Sequence, residues 1–572
     1  MVSIGFLCMV SCVASGTNKR GRPSGRTLNF PNNTSLGVLV DMDQPANSEP
    51  SHWWWGGIAG KWVQVGEAKG DVAVPLNMRL GFAVEPEGWI DLSTLANLAP
   101  DAIEALEFHG SPKDEYIDDI GTLTELKTLV LGSGAATHKG LASLKKLESL
   151  ERLHIDPIDE DGMAIVGELT SLKGLRLSSE SVITCKGFSH LARLSALEEL
   201  MIGWKGYEGN GLVHLSQLPS LEYLYLSGFE TGSEGLVYLG NIPSLQRLEF
   251  SDIRGEAIAA LPDMPSLKTL AIKSKNPEFI PTSQLVNFTG LESLSLSGCF
   301  TDDGLAPLKE LPALQDISLL HKLFSGRNVI TDEGLAHLGK IQSLESVRIY
   351  TGHFTDKGLE HLSGLKKLKK LQMPNARHVT DSGMQSVASI GHLETLYLNG
   401  SLLTHEGMRQ LAKLTNLKSL RFLSPSQLTN QALAELAPLQ KLEQLELGYA
   451  PNVTVSGLNG LNRLAHLRAL TVRGISNNDA VLDLSGLPRL EQLELPGIGD
   501  DDLACLAQLK HLKKLTIRSG NTITDAGLAH LEGISSLREL EIRLRKDEES
   551  RISQEAITRL KKNLPNLVYY SR

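Results

Sequence analysis

The sequence predicts an α/β solenoid, with a parallel sheet on its concave side, helices on its convex side and a small β module ahead of it. Three observations predict it. A segment of the form L-x-x-L-x-L recurs with a period near 24 residues along most of the 572-residue chain. Between its copies a second segment recurs with helical instead of strand spacing. The composition, 41% hydrophobic but only 5% aromatic, supplies the aliphatic core that stacked leucines would build. A fixed period of this length marks a stacked architecture in which each unit packs only on its neighbours.

The strand half comes first. Its leading leucines are Leu126, Leu150, Leu172, Leu197, Leu221, Leu245, Leu267, Leu291, Leu314, Leu344, Leu368, Leu393, Leu417, Leu442, Leu467, Leu490, Leu512 and Leu537. These 18 anchors define 17 intervals over 411 residues. Ile103-x-x-Leu106-x-Phe108 adds a leading copy, and Leu567-x-x-Tyr570 a degenerate last one. Within Leu537-Arg-Glu-Leu540-Glu-Ile542 the residues Leu540 and Ile542 stand two apart, which puts both on one face of a strand. The helical half follows from Thr524-Asp525-Ala526-Gly527-Leu528. Thr524 or Asp525 serves as N-cap, and Leu528, Leu531 and Ile534 form one buried stripe. The same half reads TDDGLAPL from Thr301, TDEGLAHL from Thr331, TDKGLEHL from Thr355 and TDSGMQSV from Thr380. A single unit is too small to offset the entropy of ordering its own backbone. Stability must therefore come from neighbours covering each other's leucines.

These units resemble leucine-rich repeats, closest to the ribonuclease-inhibitor-like and cysteine-containing types, whose second half reads I-T-D-x-G-L. The density of T-D-x-G-L units is similar to that of large leucine-rich repeat proteins of planctomycete bacteria. The resemblance covers residues 93–572 and implies a horseshoe of about nineteen or twenty repeats that binds a macromolecular partner. One departure stands out. The family places Asn or Cys three residues after the last strand leucine, whereas Gly134, Glu180, Phe229, Ile253, Cys299, Ala376 and Ala450 stand there. No polar ladder is expected along the array, so its turns must be satisfied in another way.

The ends read differently. Residues 1–27 are a leader, and its run MVSIGFLCMVSCVAS is too short to span a bilayer. It is short enough for a secretory signal, and Cys12 follows a loose lipoprotein-like box. Against export, no basic residue precedes the run, while Lys19, Arg20, Arg22 and Arg26 follow it. The compartment is left between the cytoplasm and export to the periplasm or cell surface, with Cys12 as anchor in the latter case. Residues 28–92 form the small β module, whose short apolar runs are bounded by Gly and Pro. It is read as a cap on the first repeat, with a separate binding module as the alternative. Its Trp53-Trp54-Trp55 run packs within the cap or anchors a partner or sugar. Between Leu314 and Leu344 the spacing stretches to 30 residues, and the surplus, Leu320 to Asn328, forms a rim loop. Phe324 and Arg327 on that loop are candidate contacts; a tolerated surface insertion is the plainer reading. Arg543 to Arg551 and a last helix, Ile552 to Asn563, form a charged C-terminal cap.

No catalytic constellation converges. His190, His214, His337, His361 and His530 each precede a strand leucine by seven residues, so they recur as part of the repeat. The aspartates of T-D-x-G recur likewise and are read as helix caps. Cys185, Cys299 and Cys505 are far apart and read as free, buried thiols, without the spacing of a zinc site. No cofactor, metal or enzymatic activity is expected. A net charge of −10 argues against unselective nucleic-acid binding, and no transmembrane span is expected.

The third and fifth residues of L-x-x-L-x-L should face the concave surface. Two clusters of anchor-type side chains result. The first holds Arg176, Met201, Tyr223, Tyr225 and Arg247; the second holds Arg348, Tyr350, Tyr397 and Arg421. Tyrosine and arginine dominate binding hot spots because they combine area with directional polar groups. A solvated strand face carrying ordinary polar residues is the plain alternative for each. Glu446, Glu494, Glu539 and Glu541 make the C-terminal third look acidic, which would favour a basic partner. The function expected is recognition of a protein partner, or of a glycan, by a non-catalytic scaffold. The alternatives are a substrate-recruiting subunit of an enzyme complex and a regulator or inhibitor of a secreted enzyme.

Overall fold

The computed structural model describes residues 25–30, 35–45, 62–69, 71–75, 78–84, 93–110, 112–133, 137–179, 183–204, 209–228, 233–274, 280–321, 330–399, 402–476, 481–518, 522–544 and 550–571. The expectations for the leader with Cys12, for Trp53-Trp54-Trp55, and for Phe324 and Arg327 fall outside these residues. The chain forms two compact units, Met1–Glu278 and Phe279–Arg572.

In the first unit, strands Leu80–Val84, Ala105–Phe108, Thr128–Ser133, Arg152–Asp156 and Gly174–Ser179 pair in parallel, each with the next. The sheet continues through Glu199–Trp204, Tyr223–Ser227, Arg247–Ser251 and Thr269–Lys273. Register is kept repeat by repeat, as in Leu153 opposite Leu175 and Leu248 opposite Leu270. Ahead of the first repeat the pairing turns antiparallel. Gly37–Pro45 lies between Trp62–Glu67 and Leu80–Val84, and Gly25–Asn29 pairs with Asp71–Pro75. Leu80–Val84 thus joins the β module to the first repeat strand within one sheet. Its residues are all buried, and the Phe82 ring lies 5.7 Å from that of Phe30. The first strand starts at Gly25, within the residues expected to be leader.

The second unit repeats the plan. Consecutive strands from Ser293–Gly298 to Val568–Ser571 pair in parallel. The degenerate Leu567-x-x-Tyr570 copy therefore ends in a genuine strand. Strands such as Glu539–Arg543 alternate half-buried and buried residues, as one-sided burial requires. Short helices such as Asp332–Leu338, Asp356–Leu362 and Asp381–Ala388 bury the leucine stripe. In several repeats of the first unit, among them Gly209–Gln217 and Ser233–Asn241, that stretch is a 3-10 helix instead.

The T-D-x-G motif works differently from the cap reading. Thr331, Thr355, Thr380, Thr404 and Thr524 are the N-caps, each accepting a backbone N–H two residues on. The aspartate reaches into the next repeat. Asp332 accepts the Thr355 backbone N–H at 2.8 Å and its hydroxyl at 2.5 Å. Asp302 holds Thr331, Asp356 holds Thr380, Asp381 holds Thr404 and Asp500 holds Thr524 in the same way. Asp525 holds Ser553, and these hydrogen bonds keep its carboxyl below the usual carboxylate range. The glycine belongs to the same device. A Cβ on Gly358 would overlap Asp332 Oδ1, and one on Gly383 would overlap Asp356 Oδ1. In these two repeats the glycine leaves the carboxylate room to reach the threonine, whereas the Asp525–Ser553 clamp accommodates Ala556 at the same place.

This clamp stands beside a second ladder at the strand entry. The Glu345 carbonyl accepts the N–H groups of both Lys369 and Lys370, and the Lys369 carbonyl accepts those of Glu394 and Thr395. Where the family carries its Asn or Cys ladder, Ile253, Cys299, Ala376 and Ala450 are simply buried. The adjacent turns are held by single side chains, such as Asn375 donating to the Tyr350 carbonyl at 2.5 Å and Thr522 to that of Ile498 at 2.7 Å.

Candidate partner-binding face

The sheet face opposite the leucines is where side chains of the third, fifth and seventh repeat positions emerge. In the second unit these build a depression of about 460 Å³, lined among others by Tyr350, Gln372, Tyr397, Arg421, Gln444, Glu446 and Gln492. Parallel register brings its centre together: Gln372 stands opposite Tyr397, Tyr397 opposite Arg421, and Arg421 opposite Glu446. The Arg421 guanidinium lies over the Tyr397 ring, 4.9 Å from its centroid, and pairs with Glu446. Arg473 pairs with the other oxygen of Glu446 at 2.8 Å. The carboxylate is only 12% exposed, whereas each arginine keeps 45% of its surface open to solvent. Burial raises the Tyr397 phenol above its ordinary value, against the pull of Arg421, so the ring presents a neutral hydroxyl. Gly448 borders this group, and a Cβ there would collide with the Leu423 carbonyl. Beside it Tyr449 is 65% exposed.

A family model described as a leucine-rich repeat region matches residues 101–352 and 178–428, together more than half of the chain. The chain belongs to the leucine-rich repeat family. Among solved structures, an internalin of Listeria monocytogenes is 17% identical, with 69% of this chain and 82% of that chain covered and a TM-score of 0.33. A TLR13 chain in complex with single-stranded RNA is 17% identical, with 82% and 71% covered and a TM-score of 0.43. A leucine-rich repeat protein of Leptospira interrogans is 16% identical, with 84% and 98% covered and a TM-score of 0.34. No curated protein sequence matches the chain.

In this leucine-rich repeat protein the second cluster of expected contacts is only partly one site. Tyr350, Tyr397 and Arg421 line the depression. Arg348 is held aside, donating to Asp316 at 2.7 Å. The acidic reading of the C-terminal third does not survive. Glu446 is shared by Arg421 and Arg473, Glu494 pairs with Arg518, Glu539 with Lys514, and Glu541 with Arg543 at 2.9 Å. Arg473, Arg518 and Arg543 occupy the seventh repeat position. Extending the same strand alternation by two residues would have found them.

The first cluster, in the first unit, is more enclosed. Arg176, Met201 and Tyr225 lie side by side and line a smaller hollow with Ser178, Gly203 and Ser227. Met201 is only 5% exposed and Tyr223 only 4%, so neither offers the anchor surface expected of it. Arg247 covers Tyr223 from 4.9 Å and donates from Nε to Glu249 at 2.8 Å. Strand alternation gave these two residues the right face, but long neighbouring side chains closed over them. On the next strand back His154 stands opposite Arg176. Burial and that neighbouring charge push its imidazole down to about 4.

The cysteines also differ from expectation. Cys299 is buried, but Cys185 and Cys505 are half-buried. Cys185 takes the aspartate place of its repeat, and its Sγ lies 3.4 Å from His214 Nε2. Burial and nearby aspartates raise the Cys505 thiol. No helix among the described residues is long and apolar enough to cross a membrane.

Proposed function

We propose that this chain is a non-catalytic recognition scaffold that binds a protein partner on the open sheet face of its second unit. The observation that carries the reading is the Tyr397–Arg421–Glu446–Arg473 group. An aromatic ring and one arginine line a hollow with a second arginine beside it, both arginines paired to a covered carboxylate before any partner arrives. Such fixed tyrosine and arginine groups lose little conformational freedom on binding, which is what separates an anchor from ordinary polar surface. Repeats of the ribonuclease-inhibitor-like or cysteine-containing type, similar to large planctomycete proteins, fit the T-D-x-G-L helices. The residue 28–92 module acts as the N-terminal cap, a role supported by the pairing of Leu80–Val84 with the first repeat strand.

The test is affinity capture from source-cell extract with the parent chain beside a Tyr397→Ala, Arg421→Ser variant, followed by cross-link mapping. Circular dichroism checks that the variant folds. The reading expects a partner lost by the variant, with cross-links falling between residues 395 and 473. Equal recovery by both, with cross-links on the helical side, would sink it.

A further inference from the structure

The open face of the second unit has a charge balance opposite to that of the chain. From Ser293 to Ser571 its third, fifth and seventh positions carry seven cations among the described residues, against five carboxylates. The chain as a whole has a net charge of −10. The paired groups largely cancel, so the surplus is local. It comes from Lys370, which is exposed, and from Arg421 and Arg473, which share one glutamate. These three cations stand on every second strand and advance two residues along the strand at each step. The Arg421 and Arg473 guanidinium groups converge on Glu446 and act as one anchor. With strands about 4.8 Å apart and about 3.4 Å per residue, the Cα atoms of Lys370 and Arg421 lie roughly 12 Å apart along a diagonal. An extended polypeptide covers that distance in about three to four residues.

Resting on the reading above, we infer that the face binds an extended acidic polypeptide segment, with two carboxylates three or four residues apart, one for the Arg421–Arg473 pair and one for Lys370. Guanidinium groups already fixed on Glu446 keep outward N–H donors for a second carboxylate, and arginine accepts carboxylates in paired hydrogen bonds. Gln372 and Gln444 stand among the cations, and Gln492 on the strand beyond Arg473. Each amide both donates and accepts, which suits the alternating N–H and C=O groups of an extended backbone. Tyr397 supplies a flat surface for the apolar part of the segment. The acidic segment replaces the basic partner that the glutamates alone suggested.

The experiment pans a library of random 12-residue peptides against the full chain, in parallel with an Arg421→Gln, Arg473→Gln variant. A heparin fragment serves as a non-peptide polyanion competitor. Binders to the parent should be enriched at least twofold in Asp and Glu, with spacings of three or four residues. Glu-to-Gln versions of those binders should lose at least tenfold in affinity, and so should the unaltered binders on the variant. Binders rich in Lys or Arg, binders indifferent to the variant, or no binders at all would overturn the acidic assignment. Tighter binding of the heparin fragment than of any selected peptide would overturn the commitment to polypeptide. In each of these cases the partner-capture result still decides separately whether this face is the binding face.

Discussion

Gly358 and Gly364 lie six residues apart, and opposite consequences follow from filling them. A methyl group at Gly358 would overlap Asp332 Oδ1, the oxygen that accepts the Thr355 backbone N–H. Nothing lies within 4 Å of a Cβ at Gly364, and its φ is not in the left-handed range. Gly358→Ala should therefore cost about 1–3 kcal/mol, the usual scale of forced overpacking. Gly364→Ala should be neutral or stabilise by up to about 1 kcal/mol, through loss of unfolded-state freedom. Urea melts of the two variants decide this, and equal midpoints would mean that the clamp does not depend on the glycine. The letters of T-D-x-G were legible in the sequence and the threonine's capping role with them. What the aspartate does was not, because its partner is a repeat away and meets it only once the repeats are stacked. The same limit governs Met201 and Tyr223. Strand alternation tells which way a residue points, but not whether a neighbour such as Arg247 folds over it.

At the scale of one strand, Arg152–Asp156 carries a pH response into the first unit. His154 is flanked by Arg176 on one side, with Asp156 and Glu107 as the opposing charges. Its folded value is about 4, below the 6.5 of a free imidazole. Between these values the unfolded chain takes up a proton that the folded chain refuses. The contribution is therefore present in full above pH 6.5 and falls away as pH drops towards 4. A shift of this size corresponds to about 3 kcal/mol at most. A His154→Gln variant should show a flatter fall in the first unit's stability across that window, read by hydrogen exchange at amides of strands 128–179. Identical pH profiles for parent and variant would show that His154 is not the sensor. Periodicity alone placed this histidine on the sheet face, since it occupies the fifth position of its repeat. It could not foretell the low value, which arises first from burial and then from the register that sets Arg176 directly opposite. The paired glutamates of the second unit teach the same lesson. Counting charge at two positions of each repeat gave an acidic surface, and the arginines of the seventh position, one alternation further on, pair with three of its four glutamates.

Across the whole molecule stability is close to a sum of repeats and of interfaces between neighbours, so an end must be closed or the sum is short by one interface. The helix Gln554–Asn563 packs on the repeat before it. Ser553 takes the Asp525 clamp at 2.7 and 2.8 Å, and Arg559 and Asn563 both donate to Glu532 at 2.7 Å. Ala556, Leu560, Leu564 and Leu567 are buried, while Glu555, Thr558, Arg559 and Lys562 face outward. Its inner face thus continues the core and its outer face is wet. The last strand, Val568–Ser571, pairs with Glu539–Arg543 and leaves that strand no open edge on its C-terminal side. Ending the chain at Arg543 would remove all of this, baring the apolar stripe of Asp525–Leu531 and one strand edge of backbone donors and acceptors. Such an edge is a template for pairing with another copy. The shortened chain should therefore form oligomers in light scattering. Hydrogen-exchange protection should fall steeply in residues 514–543 and fade over the next few repeats towards Ser293. A graded loss is what nearest-neighbour coupling demands, whereas a uniform loss across the second unit would mean that its repeats fold as one indivisible body. A monomer with unchanged protection would show that the last helix is decoration and not a cap.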